Sequence, residues 1–104
     1  MDLKTLSLPR LNQLNPTLES TTLKLMEETG ELAQVIGKFR GMSGEKINLS
    51  DDDVINEIAV ELLDVAQTAV TMMFVLEEQY NIDIDLLLNE HWEKLERKGY
   101  LSLK

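Results

Sequence analysis

From Val54 to Leu76 the chain reads VINEIAVELLDVAQTAVTMMFVL, with neither glycine nor proline. Its wealth of Leu, Ala, Met and Glu favours a helix, and no apolar–polar alternation of period two competes with that assignment. At about 100° per residue the apolar side chains from Ile55 to Leu76 spread round nearly the whole circumference. A helix of that kind is expected to be buried on most sides. Its one polar strip is acidic: Glu57, Glu61, Asp64 and Thr68 follow one another at spacings of four, three and four, which are the spacings of neighbours on a helix face. That end is expected to be too polar to cross a bilayer. Two carboxylates about 4 Å apart repel by roughly 1 kcal/mol in water and about 4 kcal/mol at an effective dielectric near 20, and desolvation adds to the cost. Protonation, a Lys or Arg partner, or a bound cation would each relieve it.

The rest of the chain has to supply both the cover and the relief. Residues 1 to 14 carry leucines at 3, 6, 8, 11 and 14 around Pro9, a pattern expected to form a small packing arm with a short helix from Pro9 to about Leu14. Asn15-Pro16 reads as a helix start, and the helix runs to Arg40, where Gly41 stops it. Leu18, Thr22, Leu25, Thr29, Leu32, Ile36 and Phe39 are its expected buried stripe, with Glu28 on the shoulder and Glu31 beside Val35. Gly30, in mid-helix, would admit a close backbone or ligand. Residues 41 to 53 are an inter-helix loop, with Lys46 its sole base and Ser50 and Asp53 spaced as a capping signal. The central helix is expected to end near Tyr80-Asn81. Asp83 or Asp85 then caps a last helix, Ile84 to Lys98, closed by Gly99, with Ile84, Leu87, Leu88, Trp92 and Leu95 inward.

The sequence therefore predicts a single all-α domain over residues 1–104: a bundle of two long antiparallel helices with shorter flanking helices. One long and two short helices cannot cover every side of Val54 to Leu76. The uncovered face, around Leu63, Val70 and Phe74, would meet a second copy, so a homodimer or homotetramer is expected. With 19 acids against 10 bases and a formal charge of −9, the chain lacks the basic surface that a nucleic-acid backbone or an anionic membrane wants. It has no cysteine, hence no disulfide or thiolate chemistry, and no apolar leader, so a cytoplasmic location is expected.

Two acid groups stand on the paired helices, Glu27-Glu28-Thr29-Gly30-Glu31 on the first and Glu61-Leu62-Leu63-Asp64 on the second. Acids three apart share a face, so the pair can offer four carboxylates to one point. All-oxygen ligands of this kind suit Mg²⁺ or Mn²⁺. E-E-x-x-E followed by E-x-x-D, within KLMEETGELAQVIGKFRG and VELLDVAQTAV, resembles the MazG-like family of all-α nucleoside triphosphate pyrophosphohydrolases. The resemblance covers roughly Pro16 to Tyr100. It implies a Mg²⁺-dependent hydrolase that cleaves the α–β phosphoanhydride of a nucleotide substrate, with Glu28, Glu31, Glu61 and Asp64 as catalytic metal ligands. Glu27 and Glu57 would be accessory acids, and Lys38, Arg40, Lys94, Arg97 and Tyr100 candidate phosphate or base contacts.

Plainer readings suit other residues. Glu27, Glu77, Glu78, Glu90 and Glu93 read as solvated on the residues alone, His91 as a packed or surface histidine, Trp92 as core, and Met72 and Met73 as core fillers. Two alternatives to the triphosphate reading stay open: hydrolysis of another phosphoanhydride, such as phosphoribosyl-ATP or a modified nucleotide, and a non-catalytic helical oligomerisation module that merely binds a cation.

Overall fold

The structure, a computed structural model, describes residues 1–41 and 51–103. It is all-α: α1 spans Leu18–Phe39, α2 Asp51–Tyr80 and α3 Ile84–Arg97. Both ends of α1 and α3, and the end of α2, have local causes. Thr17 and Ser20 close a reciprocal capping box at the start of α1: the Ser20 backbone N–H donates to Thr17 Oγ1 at 3.0 Å, and the Thr17 N–H donates to Ser20 Oγ at 2.8 Å. The helix thus begins at Leu18 rather than at Asn15-Pro16, because a paired hydroxyl box satisfies two orphan N–H groups where asparagine would satisfy one. Gly41, at φ +69°, takes the left-handed turn that ends α1, as expected. Asn81 at φ +58° does the same after α2 and Gly99 at φ +79° after α3. Asp83, not Asp85, caps α3, its Oδ1 accepting from the Leu86 N–H at 3.0 Å. The Ser50 capping signal and Lys46 lie outside the described residues.

α1 and α2 pack side by side and antiparallel: the Glu28 and Glu61 carboxylates meet at one level, while Gln79 near the end of α2 donates to the Pro16 carbonyl just before α1 at 3.3 Å. The contact face of α1 is centred on Thr21, Glu28 and Val35, spaced two turns apart. The expected stripe was rotated from this line, for Thr22, Thr29 and Ile36 are exposed. Glu28 therefore sits at the centre of the buried face, not on its shoulder. Apolar spacing alone misjudged the rotation because α2 presents acids and threonines, not only methyl groups, at this contact. A Cβ placed on Gly30 would meet nothing within 4 Å, so no close approach is made there.

The N-terminal segment holds no helix. It is an extended strap across α2, tied where Gln67 Nε2 donates to the Pro9 carbonyl at 2.9 Å. Arg10 completes the tie by pairing with Glu78 and stacking on Phe74, 4.4 Å from the ring centroid. Pro9 therefore supports an extended strap, whose carbonyls remain available to side chains of α2.

Two expectations of burial fail within one protomer. α3 does not lie along α2, and none of Ile84, Leu87, Leu88, Trp92 and Leu95 is buried. α2 is far from covered: Ile55, Leu62, Leu63 and Met73 are 49%, 55%, 50% and 40% exposed. The molecule measures 47 × 41 × 20 Å with a radius of gyration of 17.0 Å, against about 13 Å for a compact chain of this length. A slab 20 Å thick is two helix diameters deep, so it has no third layer to cover the outer face of α2. By length and composition α2 is also apolar enough to cross a membrane, with 17% of its apolar window buried; the acidic end did not lower its hydropathy enough to exclude this.

Candidate metal centre

The antiparallel pairing of α1 and α2 brings three acids to one point. One carboxylate oxygen each from Glu28, Glu31 and Glu61 lies within 4.8 Å of the others. Their settings differ: Glu28 is 6% exposed, Glu61 is half-buried and Glu31 faces solvent. Asp64, one turn beyond Glu61, is exposed and stands at the edge of this trio. Glu57, one turn before Glu61, is half-buried and outside it. Glu27 is exposed and drawn to the Lys24 ammonium at 3.8 Å.

Lys24 is the residue that the sequence reading missed. Its Nζ lies 2.9 Å from Glu28 Oε1, and Glu28, then Glu27, hold its pKa above the ordinary 10.5. The signal for it was present, since Lys24 precedes Glu28 by four residues. Spacing does not tell which of Glu27 and Glu28 is buried, and so which pairing matters.

One ammonium does not satisfy the cluster. Glu28 Oε2 and Glu61 Oε2 are both out of solvent and have no hydrogen-bond partner. Leaving such an oxygen buried and unpaired is costly. Three convergent carboxylates with two orphaned oxygens fit a hard divalent cation, which takes oxygen ligands and brings the missing positive charge. Metal is therefore the remedy that suits the geometry, with Lys24 offsetting part of the charge at Glu28.

Crowding also appears in the protonation of Glu61. Desolvation first, then the charges of Glu31, Asp64 and Glu28 and a hydrogen bond with Glu31, push its pKa above the ordinary 4.5. A carboxyl whose folded pKa exceeds its unfolded value binds its proton more tightly in the native state, so stability is gained as pH falls through the raised value toward 4.5. In metal-stripped protein, Glu61→Gln is expected to melt at a higher temperature than the wild type near neutral pH. The gap should shrink as the pH is lowered from neutral toward 4.5. A gap that widens, or a wild type that melts higher at neutral pH, would contradict the crowding.

Beside the centre runs a groove of about 420 Å³, walled by Leu11, Leu14, Asn15 and Pro16 of the strap and by Thr21, Lys24, Glu28, Asp64, Gln67, Thr68 and Thr71 of the helices. The basic and aromatic residues expected to contact substrate do not line it. Lys38 and Arg40 lie at the far end of α1, with the Arg40 guanidinium 4.9 Å from the Phe39 ring centroid. Lys94 and Arg97 are in the last turn of α3, and Tyr100, beyond it, is 75% exposed.

Residues 16–99 match the family model of the MazG nucleotide pyrophosphohydrolase domain. No curated protein and no solved structure gave a match.

Proposed function

The chain belongs to the MazG nucleotide pyrophosphohydrolase family, and from that premise we propose that it hydrolyses nucleoside triphosphates at the α–β phosphoanhydride, releasing a monophosphate and pyrophosphate with Mg²⁺, or Mn²⁺, as cofactor. The observation that carries this reading is the pair of orphaned, buried oxygens on Glu28 and Glu61, on facing helices within the residues that match the family. Glu28, Glu31 and Glu61 would hold the cation, with Asp64 beside them in the wall of the groove. The cation would neutralise phosphate oxygens and acidify the attacking water. Asp64, exposed and outside the convergent trio, would take the proton that this water loses.

The groove supports a nucleotide rather than a bare phosphate. It adjoins Glu28 and Asp64, combines the leucines of the strap with Asn15, Gln67, Thr68 and Thr71, and so offers apolar contact with a few polar groups to orient a nucleoside. With a formal charge of −9, the protein would meet a triphosphate through metal rather than through a basic surface. Assembly from two or more copies is part of the proposal, since it would cover the outer face of α2 and bring further groups to the open side of the groove.

The test is pyrophosphate release from a panel of ribo- and deoxyribonucleoside triphosphates with Mg²⁺. Pyrophosphate and monophosphate in equal amounts from at least one substrate are expected, with none in chelator. Orthophosphate as the first product, or no turnover of any triphosphate while Mg²⁺ still raises the melting temperature, would move the assignment to another phosphoanhydride or to a cation-binding module.

A further inference from the structure

Glu28 has two oxygens in unlike situations. Oε1 is held by the Lys24 ammonium at 2.9 Å; Oε2 is buried and has no partner. A carboxylate free to rotate about its last torsion would exchange these two positions. The Lys24 contact removes that freedom, because the side chain of Glu28 is 8% exposed while that of Lys24, at 55%, reaches it from the groove side. One oxygen is thus committed to the lysine and the other is buried without a partner.

We propose that Lys24 is a positioning residue of the metal centre: by holding Oε1 it presents Glu28 Oε2 to the cation. This rests on the metal reading of the acidic cluster but not on the choice of substrate. Ligating carboxylates are commonly oriented in this way by a second hydrogen bond, and loss of such a partner typically weakens metal binding by about 10- to 100-fold. The direction of the effect is what makes the idea testable. An ammonium beside a divalent cation repels it, so if Lys24 contributed charge alone, its removal would tighten metal binding. If it aims the ligand, removal loosens it.

The experiment is Mn²⁺ titration of the full chain without nucleotide, followed calorimetrically or by the signal of free Mn²⁺, for wild type, Lys24→Met and Lys24→Arg. Lys24→Met is expected to lose about 10- to 100-fold in affinity, and Lys24→Arg, which keeps a donor on Glu28, to stay within about threefold of wild type. Tighter binding in Lys24→Met overturns the proposal in favour of simple repulsion. Unchanged binding with a lowered melting temperature overturns it in favour of a structural ion pair. If Lys24→Met does not fold, Lys24→Ala, which also removes the donor, carries the same comparison. Loosened Mn²⁺ binding in a protein that hydrolyses no triphosphate would leave the positioning role standing while the proposed function falls.

Discussion

Glu61→Gln is expected to lower pyrophosphate release by at least about 100-fold and to abolish the rise in melting temperature that a divalent cation produces, while the metal-free fold persists. The amide keeps the shape of the side chain but removes the charge that α2 contributes to the convergent trio. In the metal-free protein that charge is a liability, since Glu61 Oε2 is buried without a partner and Glu31, Asp64 and Glu28 all press on it. The same substitution should therefore stabilise the metal-free protein at neutral pH and leave it inactive. This opposition separates a metal centre from a solvated acidic face, where the change would alter neither property. Activity retained within about threefold, with metal still stabilising the variant, would remove Glu61 from the site.

Met73→Glu is expected to break the proposed assembly without touching the chemistry directly. Met73 lies about three turns along α2 from Glu61, on the outer side that also carries Ile55, Leu62 and Leu63. In a lone protomer Met73 is 40% exposed, and a charge there would change stability by less than about 0.5 kcal/mol. In an assembled bundle the same charge would be buried without a partner, at a cost of several kcal/mol. Sedimentation should find the wild type as two or more copies and the variant as one, with a melting temperature lower by many degrees. A monomeric wild type whose stability ignores the substitution would sink the assembly. A wild type that needs detergent to stay dispersed would point instead to lipid on the apolar face of α2.

Much of the acidic cluster was legible in the sequence. Acids at i and i+3 on each of two helices must share a face, so Glu28 with Glu31, and Glu61 with Asp64, follow from spacing once the helices are granted. The ends of the helices were equally local: the glycines at 41 and 99 stop α1 and α3 where left-handed turns are needed. What was misjudged depended on neighbours distant in the chain. The stripe of α1 was drawn through its most apolar positions, yet the face that α2 selects runs through Thr21, Glu28 and Val35. The segment around Pro9 has leucines enough for a short helix, but its backbone is engaged instead by Gln67.

The sequence by itself determined the number and type of the long helices, the glycine-stopped ends of α1 and α3 and the two acidic motifs, because each is set by groups within a few residues of one another. Only the tertiary structure decided that Glu28 is the buried acid, that Lys24 is its partner, that Asp64 stands at the edge of the trio, and that the N-terminal strap walls the groove. Each of these depends on the rotation of one helix against another or on a segment crossing it. Local spacing leaves that rotation open, and the packing of α1 against α2 sets it.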